Sequence, residues 1–321
     1  MRVLITGILG FVGSHLAEKL VDNGDEVYGV VRRVANRNMN TVEKILKDIT
    51  LVTGDITDYA STRNAIKTAN PDVVVHLAAL SPVRDSFERP FEYQQANLVG
   101  TMNVAHSLLE LPDARTRRMI AASTAEVYGL QKNQPLKEST PLKPLSPYAV
   151  SKAAGDLYLQ MMFLTYDLHG AIIRPANSYG RKFDSSFIIE YLVTEMIKGE
   201  DVYVGAPDSI RDYMYIDDHV NAYFLAIKNV KADGQIFNAG TGIGITNREL
   251  ALMIADKIGY DRKKIKLGSY PLGYPLRPAI SDQPYIVLDA TRIMKALDWS
   301  PHVNLSEGLD KVITYFHEKQ E

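Results

Sequence analysis

Val3-Leu4-Ile5-Thr6-Gly7-Ile8-Leu9-Gly10-Phe11-Val12-Gly13-Ser14-His15-Leu16 opens the chain with an apolar strand, a turn punctuated by glycine and the start of a helix. Gly7, Gly10 and Gly13 divide the work of such a turn. One permits the tight reversal, one lets backbone approach a pyrophosphate, and one lets the helix pack close to the strand. The N–H groups of Phe11, Val12 and Gly13, at the helix start, then face the anion. A glycine turn that merely joins strand to helix is the competing reading. Placement at residue 7, inside a strand–helix–strand unit, favours a dinucleotide site.

Outward from this turn, short β-branched runs at 3–6, 26–31, 50–53, 73–77, 118–122 and 171–174 alternate with helical patterns. Val12, Leu16 and Leu20 form one helix face, and Leu98, Met102, Ala105 and Leu109 another. Such alternation calls for an α/β fold with a doubly wound parallel Rossmann sheet. After Pro175 the pattern loosens into helices at 187–198, 220–228, 247–258 and 306–316, with strands at 202–204 and 235–238. The expected division is a dinucleotide-binding Rossmann domain of 1–176 plus about 212–242, and a smaller C-terminal α/β substrate-binding domain of about 177–211 plus 243–321.

The 46% hydrophobic and 23% charged fractions of this 321-residue chain exclude disorder as its dominant state. Thirty-six basic against 38 acidic residues leave a net charge of −2, which gives no sign of nucleic acid or an anionic membrane as partner. Apolar runs such as 73–80 are of strand length, too short to span a bilayer, and a cytoplasmic location is expected. The absence of cysteine removes disulfides, thiolate metal sites and cysteine nucleophiles together, and no His/Asp cluster has metal-ligand spacing.

The second strand ends in Val31-Arg32-Arg33, with no acid before Glu43. NAD sites usually place a carboxylate there for the ribose 2′-OH, whereas two guanidiniums suit the 2′-phosphate of NADP. NADP is therefore the expected cofactor, with NAD the alternative and a solvated basic turn the bland reading. Asp55 and Ile56, after the third strand, are placed to hold the adenine edge, although Asp55 could equally cap a turn. Ser81 and Arg84 follow the fourth strand, where an open sheet puts its ligand crevice. His76 reads as a hydrogen-bonded core histidine.

Tyr148 and Lys152, four apart after Ser146-Pro147, share a helix face. A neighbouring ammonium and an oxidised nicotinamide together stabilise phenolate, so Tyr148 is the candidate base, with a pKa expected to fall, and Lys152 its partner and a contact for the nicotinamide ribose.

Taken in order, these blocks resemble the extended short-chain dehydrogenase/reductase family, in its nucleotide-sugar branch. They are Gly7–Gly13, His76-Leu77-Ala78-Ala79, Asn97-Leu98-Val99-Gly100-Thr101, Ser123-Thr124-Ala125-Glu126-Val127-Tyr128-Gly129, Tyr148–Lys152, Arg174-Pro175-Ala176-Asn177-Ser178-Tyr179-Gly180 and Arg211-Asp212-Tyr213-Met214-Tyr215-Ile216-Asp217-Asp218. The resemblance implies that Leu77, Ala78 and Ala79 line the cofactor, and that Asn177, Arg211 and Arg277 bind a sugar nucleotide. It further implies that Tyr148 takes the sugar O4 proton while hydride leaves C4, with Thr124 bonded to the same oxygen. In 4,6-dehydratases of this branch a Glu two positions after the Thr removes the C5 proton, water leaves across C5 and C6, and hydride returns to C6. Glu126 occupies that position, and GDP-mannose is the first-choice substrate. The branch usually has Asp or Ser, a proton donor to the leaving hydroxyl, where this chain has Ala125.

A 4-epimerase, a UDP-glucuronate decarboxylase and a 4-keto-6-deoxy sugar-nucleotide reductase are the rival enzymes, and a non-catalytic NAD(P) sensor is the rival of another class. Trp299 resembles the family's C-terminal packing residue. The resemblance also implies a homodimer or higher homo-oligomer through helices near 97–111 and 148–168, the second carrying Leu157, Leu159, Met161, Met162 and Phe163.

Overall fold

The computed structural model describes residues 1–32, 39–182, 184–271 and 278–319; Arg33 and Arg277 lie outside the described residues. Its strands are β1 (Arg2–Thr6), β2 (Glu26–Val31), β3 (Ile49–Thr53), β4 (Val73–His76), β5 (Arg118–Ala122), β6 (His169–Pro175), β7 (Asn177–Tyr179), β8 (Val202–Val204), β9 (Ile210–Tyr215), β10 (Gln235–Ala239), β11 (Gly244–Thr246), β12 (Ile265–Leu267) and β13 (Tyr285–Ile286). Seven of them form one sheet in the order β10-β6-β5-β4-β1-β2-β3, every pair parallel. The order reverses between β1 and β4, and that switch point opens the ligand crevice of a doubly wound sheet.

Alternate residues of each central strand go to opposite faces, and both faces are buried. Val3, Ile5, Val73 and Val75 join one apolar cluster with Leu16, Leu20, Tyr223 and Phe237. Leu4 and Val74 join the other with Val104, Leu108, Met119, Leu159 and Met162. Burial on both faces is why these strands read as short continuous apolar runs.

In the smaller lobe β9 pairs with β7, β11 and β13, and β8 pairs with β12. Helices Ile188–Ile197, Asn247–Ile258 and Leu305–Glu318 pack around this lobe over Tyr179, Leu192, Val193, Met196, Leu250, Ile254, Leu309 and Val312. Five of its strands (β7, β9, β11, β12 and β13) are absent from the sequence reading. Four of them are three to six residues long and carry polar side chains, so no apolar run marks them, and β13 is only two residues long. The helix expected at 220 begins at Ile216, its first turn carrying Asp217 and Asp218, which suit the positive end of a helix dipole.

At the switch point, a Cβ on Gly7 (φ +77°) would lie 2.8 Å from the Ala78 nitrogen, so the turns after β1 and β4 touch there only because residue 7 has no side chain. Below them runs a buried polar chain. Ala78 N–H donates to Thr6 Oγ1, which bonds His76 Nδ1 at 2.8 Å. His76 Nε2 meets Thr101 Oγ1 at 3.1 Å, and that hydroxyl donates to the Asn97 carbonyl. Because the Thr101 proton goes to Asn97, Nε2 must carry the imidazole hydrogen and Nδ1 must accept. His76 is thus a neutral core histidine, as the sequence predicts, and burial pushes its pKa down to about 3.

Unfolded, this imidazole takes up a proton near its ordinary value of about 6.5, which the folded chain refuses until far lower pH. The stabilisation is complete above about pH 6.5 and erodes as pH falls toward 3. H76Q keeps a donor and an acceptor but cannot titrate. Its melting temperature should fall less steeply than the wild type's between pH 6.5 and 4.5, the free-energy slope differing by up to about 1.4 kcal/mol per pH unit. Parallel melting curves would exclude this role for His76.

Candidate active site

Above the switch point, a cleft of about 470 Å³ is lined by the glycine turn, Leu77, Ala79, Ser81, Thr124, Glu126, Tyr148, Lys152 and Asn177, among other residues. Its floor fits a dinucleotide. The helix Phe11–Asp22 has no side-chain cap and no acid in its first turn, so its leading N–H groups are left for an anion. A Cβ on Gly13 would sit 2.2 Å from the Gly7 carbonyl oxygen, which explains the third glycine.

Tyr148 and Lys152 come from the helix Pro147–Thr165, whose start is fixed by Ser146 Oγ accepting from Ala149 N–H and by Pro147 in its first turn. Lys152 donates to the Ala122 carbonyl at the end of β5, and burial lowers its pKa to about 8. Tyr148 is 9% exposed, stands edge-on to Tyr93 and lines the cleft beside Thr124. Burial pushes the phenol up to about 12, with the Thr124 hydroxyl opposing. The fall expected of Tyr148 depends on an oxidised nicotinamide as well as on Lys152; in the chain by itself the phenol is raised. Desolvation outweighs every favourable contact, and the Lys152 ammonium is engaged by a carbonyl.

The spacing of Thr124 and Glu126 follows from a 3₁₀ turn at Ala125–Tyr128, capped by Thr124 Oγ1 accepting from Glu126 N–H. The turn sends both side chains into the cleft and points Ala125 inward, against Val127, Leu136, Ala153 and Leu288. Glu126 accepts at Oε2 from Gln283 Nε2, 2.8 Å away.

Other residues singled out in the sequence lie elsewhere. Asp55 Oδ1 accepts from the Thr57 N–H and hydroxyl, closing a turn, and Ile56 packs beside Gly100. Arg32 is exposed just past β2. The Arg84 guanidinium lies 5.6 Å over the Tyr270 ring. Arg211, on β9, pairs with Asp282 at 2.9 Å and does not line the cleft. Trp299 is buried, its indole donating to the Asp218 carbonyl.

Residues the sequence reading passed over also face the cleft. Buried His219, with a pKa lowered to about 3 by desolvation, bonds Ser178 through Nδ1. The Arg181 guanidinium stacks on Phe11 at 4.3 Å and on Phe187 at 3.5 Å, donates to the Ser178 carbonyl and faces buried Glu190 at 3.6 Å. Both Arg181 and His219 directly follow motifs that were read, which is the only signal they offered. Among the described residues, no group of three or more His, Cys, Asp or Glu could hold a metal, and no helix is long and apolar enough to cross a membrane.

A doubly wound sheet whose glycine turn shares a cleft with a Tyr-x-x-x-Lys helix defines the extended short-chain dehydrogenase/reductase class. The family model described as GDP-mannose 4,6 dehydratase matches residues 4–312, and the chain belongs to this family of nucleotide-sugar dehydratases and epimerases. A UDP-glucose 4-epimerase of Mycolicibacterium smegmatis is 33% identical, with 100% of both chains covered. Among solved structures, a UDP-glucose 4-epimerase from Thermotoga maritima with UDP-glucose is 29% identical, with a TM-score of 0.89 and 100% of both chains covered. A dTDP-glucose 4,6-dehydratase from Streptomyces venezuelae with NAD bound is 28% identical, with a TM-score of 0.89, covering 100% of this chain and 98% of its own.

Proposed function

We propose that this chain is an NADP-dependent nucleotide-sugar 4,6-dehydratase, with GDP-mannose the first substrate to test. The observation that carries this reading is the convergence of the Tyr148 hydroxyl, the Thr124 hydroxyl and the Glu126 carboxylate on one cleft beside the glycine turn. A nicotinamide dinucleotide held by Gly7–Gly13, Leu77, Ala79 and Lys152 supplies a reversible hydride acceptor when bound.

Tyr148 is the base for the sugar O4 proton, and Thr124, in the same cleft, orients the same oxygen. Lys152, its positive charge added to that of the oxidised nicotinamide when the cofactor is bound, would favour the phenolate that this step requires. Once C4 is a ketone its neighbour C5 is acidic, and Glu126 takes that proton. The C5 electron pair then forms the C5–C6 double bond as the C6 hydroxyl leaves as water with the proton that Glu126 took. Return of the hydride to C6 with a proton to C5 completes the 4-keto-6-deoxy sugar. Alanine at 125 supplies no acid, and its methyl is buried among apolar side chains; this favours a second reading, 4-epimerisation, in which no water leaves. A sugar nucleotide is the proposed partner in either case.

Incubation with NADP⁺ and, separately, GDP-mannose, dTDP-glucose, UDP-glucose and UDP-glucuronate distinguishes the readings by product mass. The expected result is loss of about 18 Da from one of them, with Y148F at least about 100-fold slower and its cofactor binding retained. A product of unchanged mass, epimeric at C4 by proton NMR, would establish the epimerase instead. Loss of carbon dioxide from UDP-glucuronate would establish the decarboxylase.

For the cofactor, the absence of any acid at the end of β2 and the exposure of Arg32 favour a 2′-phosphate. Calorimetry should show NADP⁺ binding at least about tenfold tighter than NAD⁺, with the preference gone in R32A/R33A. Tighter NAD⁺ binding would refute the assignment.

We further propose a homodimer through the outer face of Pro147–Thr165. Val150, Leu157 and Leu164, spaced by seven, are exposed there, whereas Leu159 and Met162 belong to the core and Met161 and Phe163 are partly buried. Light scattering should give twice the chain mass of 35.8 kDa, and L157E/L164E should give the monomer. A monomeric wild type would rule the face out as an interface.

A further inference from the structure

Gln283 belongs to no motif in the sequence, yet its side chain reaches across 157 positions to the Glu126 carboxylate. It is 1% exposed, and its Oε1 is buried without a hydrogen-bond partner among the described residues. Enclosing a half-satisfied amide costs stability that an apolar side chain of the same length would not. Packing therefore does not account for glutamine here. Facing a carboxylate, the amide can only present its N–H, because its oxygen would confront another acceptor.

The backbone around Gln283 is fixed from the smaller lobe. Asp282 accepts from Arg211 at 2.9 Å, Ile210 N–H donates to the Pro284 carbonyl, and Ser281 donates to Pro278. A Glu carboxylate is not oriented by its own torsional preference, since its last dihedral is broad. Its plane is set by the contacts it makes, and the bond from Gln283 is one of them.

We propose that Gln283 is the positioning residue of Glu126, holding the plane of the carboxylate toward substrate C5 from a segment anchored on β9. This role rests on Glu126 being the C5 base. Gln283 itself touches no reacting atom and moves no proton.

The test follows deuterium incorporation at C5 in D₂O, with the nucleotide sugar that loses water in the mass assay, for wild type, Q283M, E126Q and the double variant. Q283M should slow C5 exchange and kcat about 10- to 100-fold, the scale of a reacting group misplaced by up to an ångström. KM should stay within about twofold, and the rate of C4 ketone formation in a single turnover should not change. In the E126Q background Q283M should cost nothing further. An equal loss in both backgrounds, an equal loss of the C4 step, or no loss at all would overturn the proposal.

Q283E preserves the volume in case Q283M does not fold. Two carboxylates at this distance share a proton, so its C5 exchange should recover as pH is lowered from about 8 to 6; no recovery counts against the proposal. Wild-type protein that loses no water and exchanges no C5 proton overturns the dehydratase reading, and the role of Gln283 with it. A failure confined to the Gln283 variants leaves that reading standing.

Discussion

The site depends on a single line of buried hydrogen bonds. It starts at the contact of Gly7 with Ala78 and passes through Thr6, His76 and Thr101 to Asn97. Asn97 then holds Leu80 by both N–H and carbonyl and donates to Ser151, which lies in the helix carrying Tyr148 and Lys152. Each member's donors and acceptors determine the next, so the loop for the cofactor and the helix for the chemistry cannot shift independently. A break anywhere would strand a polar group among apolar residues, where the penalty is largest.

A second buried network supports the same helix from below. Asp156, one turn beyond Lys152, receives two bonds from Arg174 on β6, whose remaining nitrogen donates to the Tyr128 hydroxyl. Tyr128 closes the turn that displays Thr124 and Glu126, and its own proton goes to Asn238 on β10. One guanidinium thereby ties the Tyr–Lys helix to the Thr–Glu turn. The Asp156 charge also resists the fall that burial imposes on the Lys152 pKa.

What the sequence made legible was local. The doubly wound sheet showed itself because strands buried on both faces must be apolar throughout, and the turn at 7–13 because only glycine fits contacts that short. Tyr148 and Lys152 were readable as a pair because one helix sets their spacing, whereas Thr124 and Glu126, which share one turn, were singled out only by the family resemblance. The unread parts are those assembled over long separations. Gln283 meets Glu126 and Asp282 meets Arg211 only after the smaller lobe folds back, and no spacing rule connects them. The inward direction of Ala125 is likewise a property of the turn and its apolar neighbours, invisible in the triplet itself. The rise in the Tyr148 pKa needs the three-dimensional burial that composition cannot supply.

Arg181 sets how stiff the cleft is. Its guanidinium is gripped between Phe11, on the helix behind the glycine turn, and Phe187, at the threshold of the helix Ile188–Ile197. Prising the lobes apart would strip a buried cation from one of its rings, a loss of about 1–2 kcal/mol on each occasion. The groove therefore stands preassembled, and an incoming ligand spends little of its affinity on ordering the protein around it.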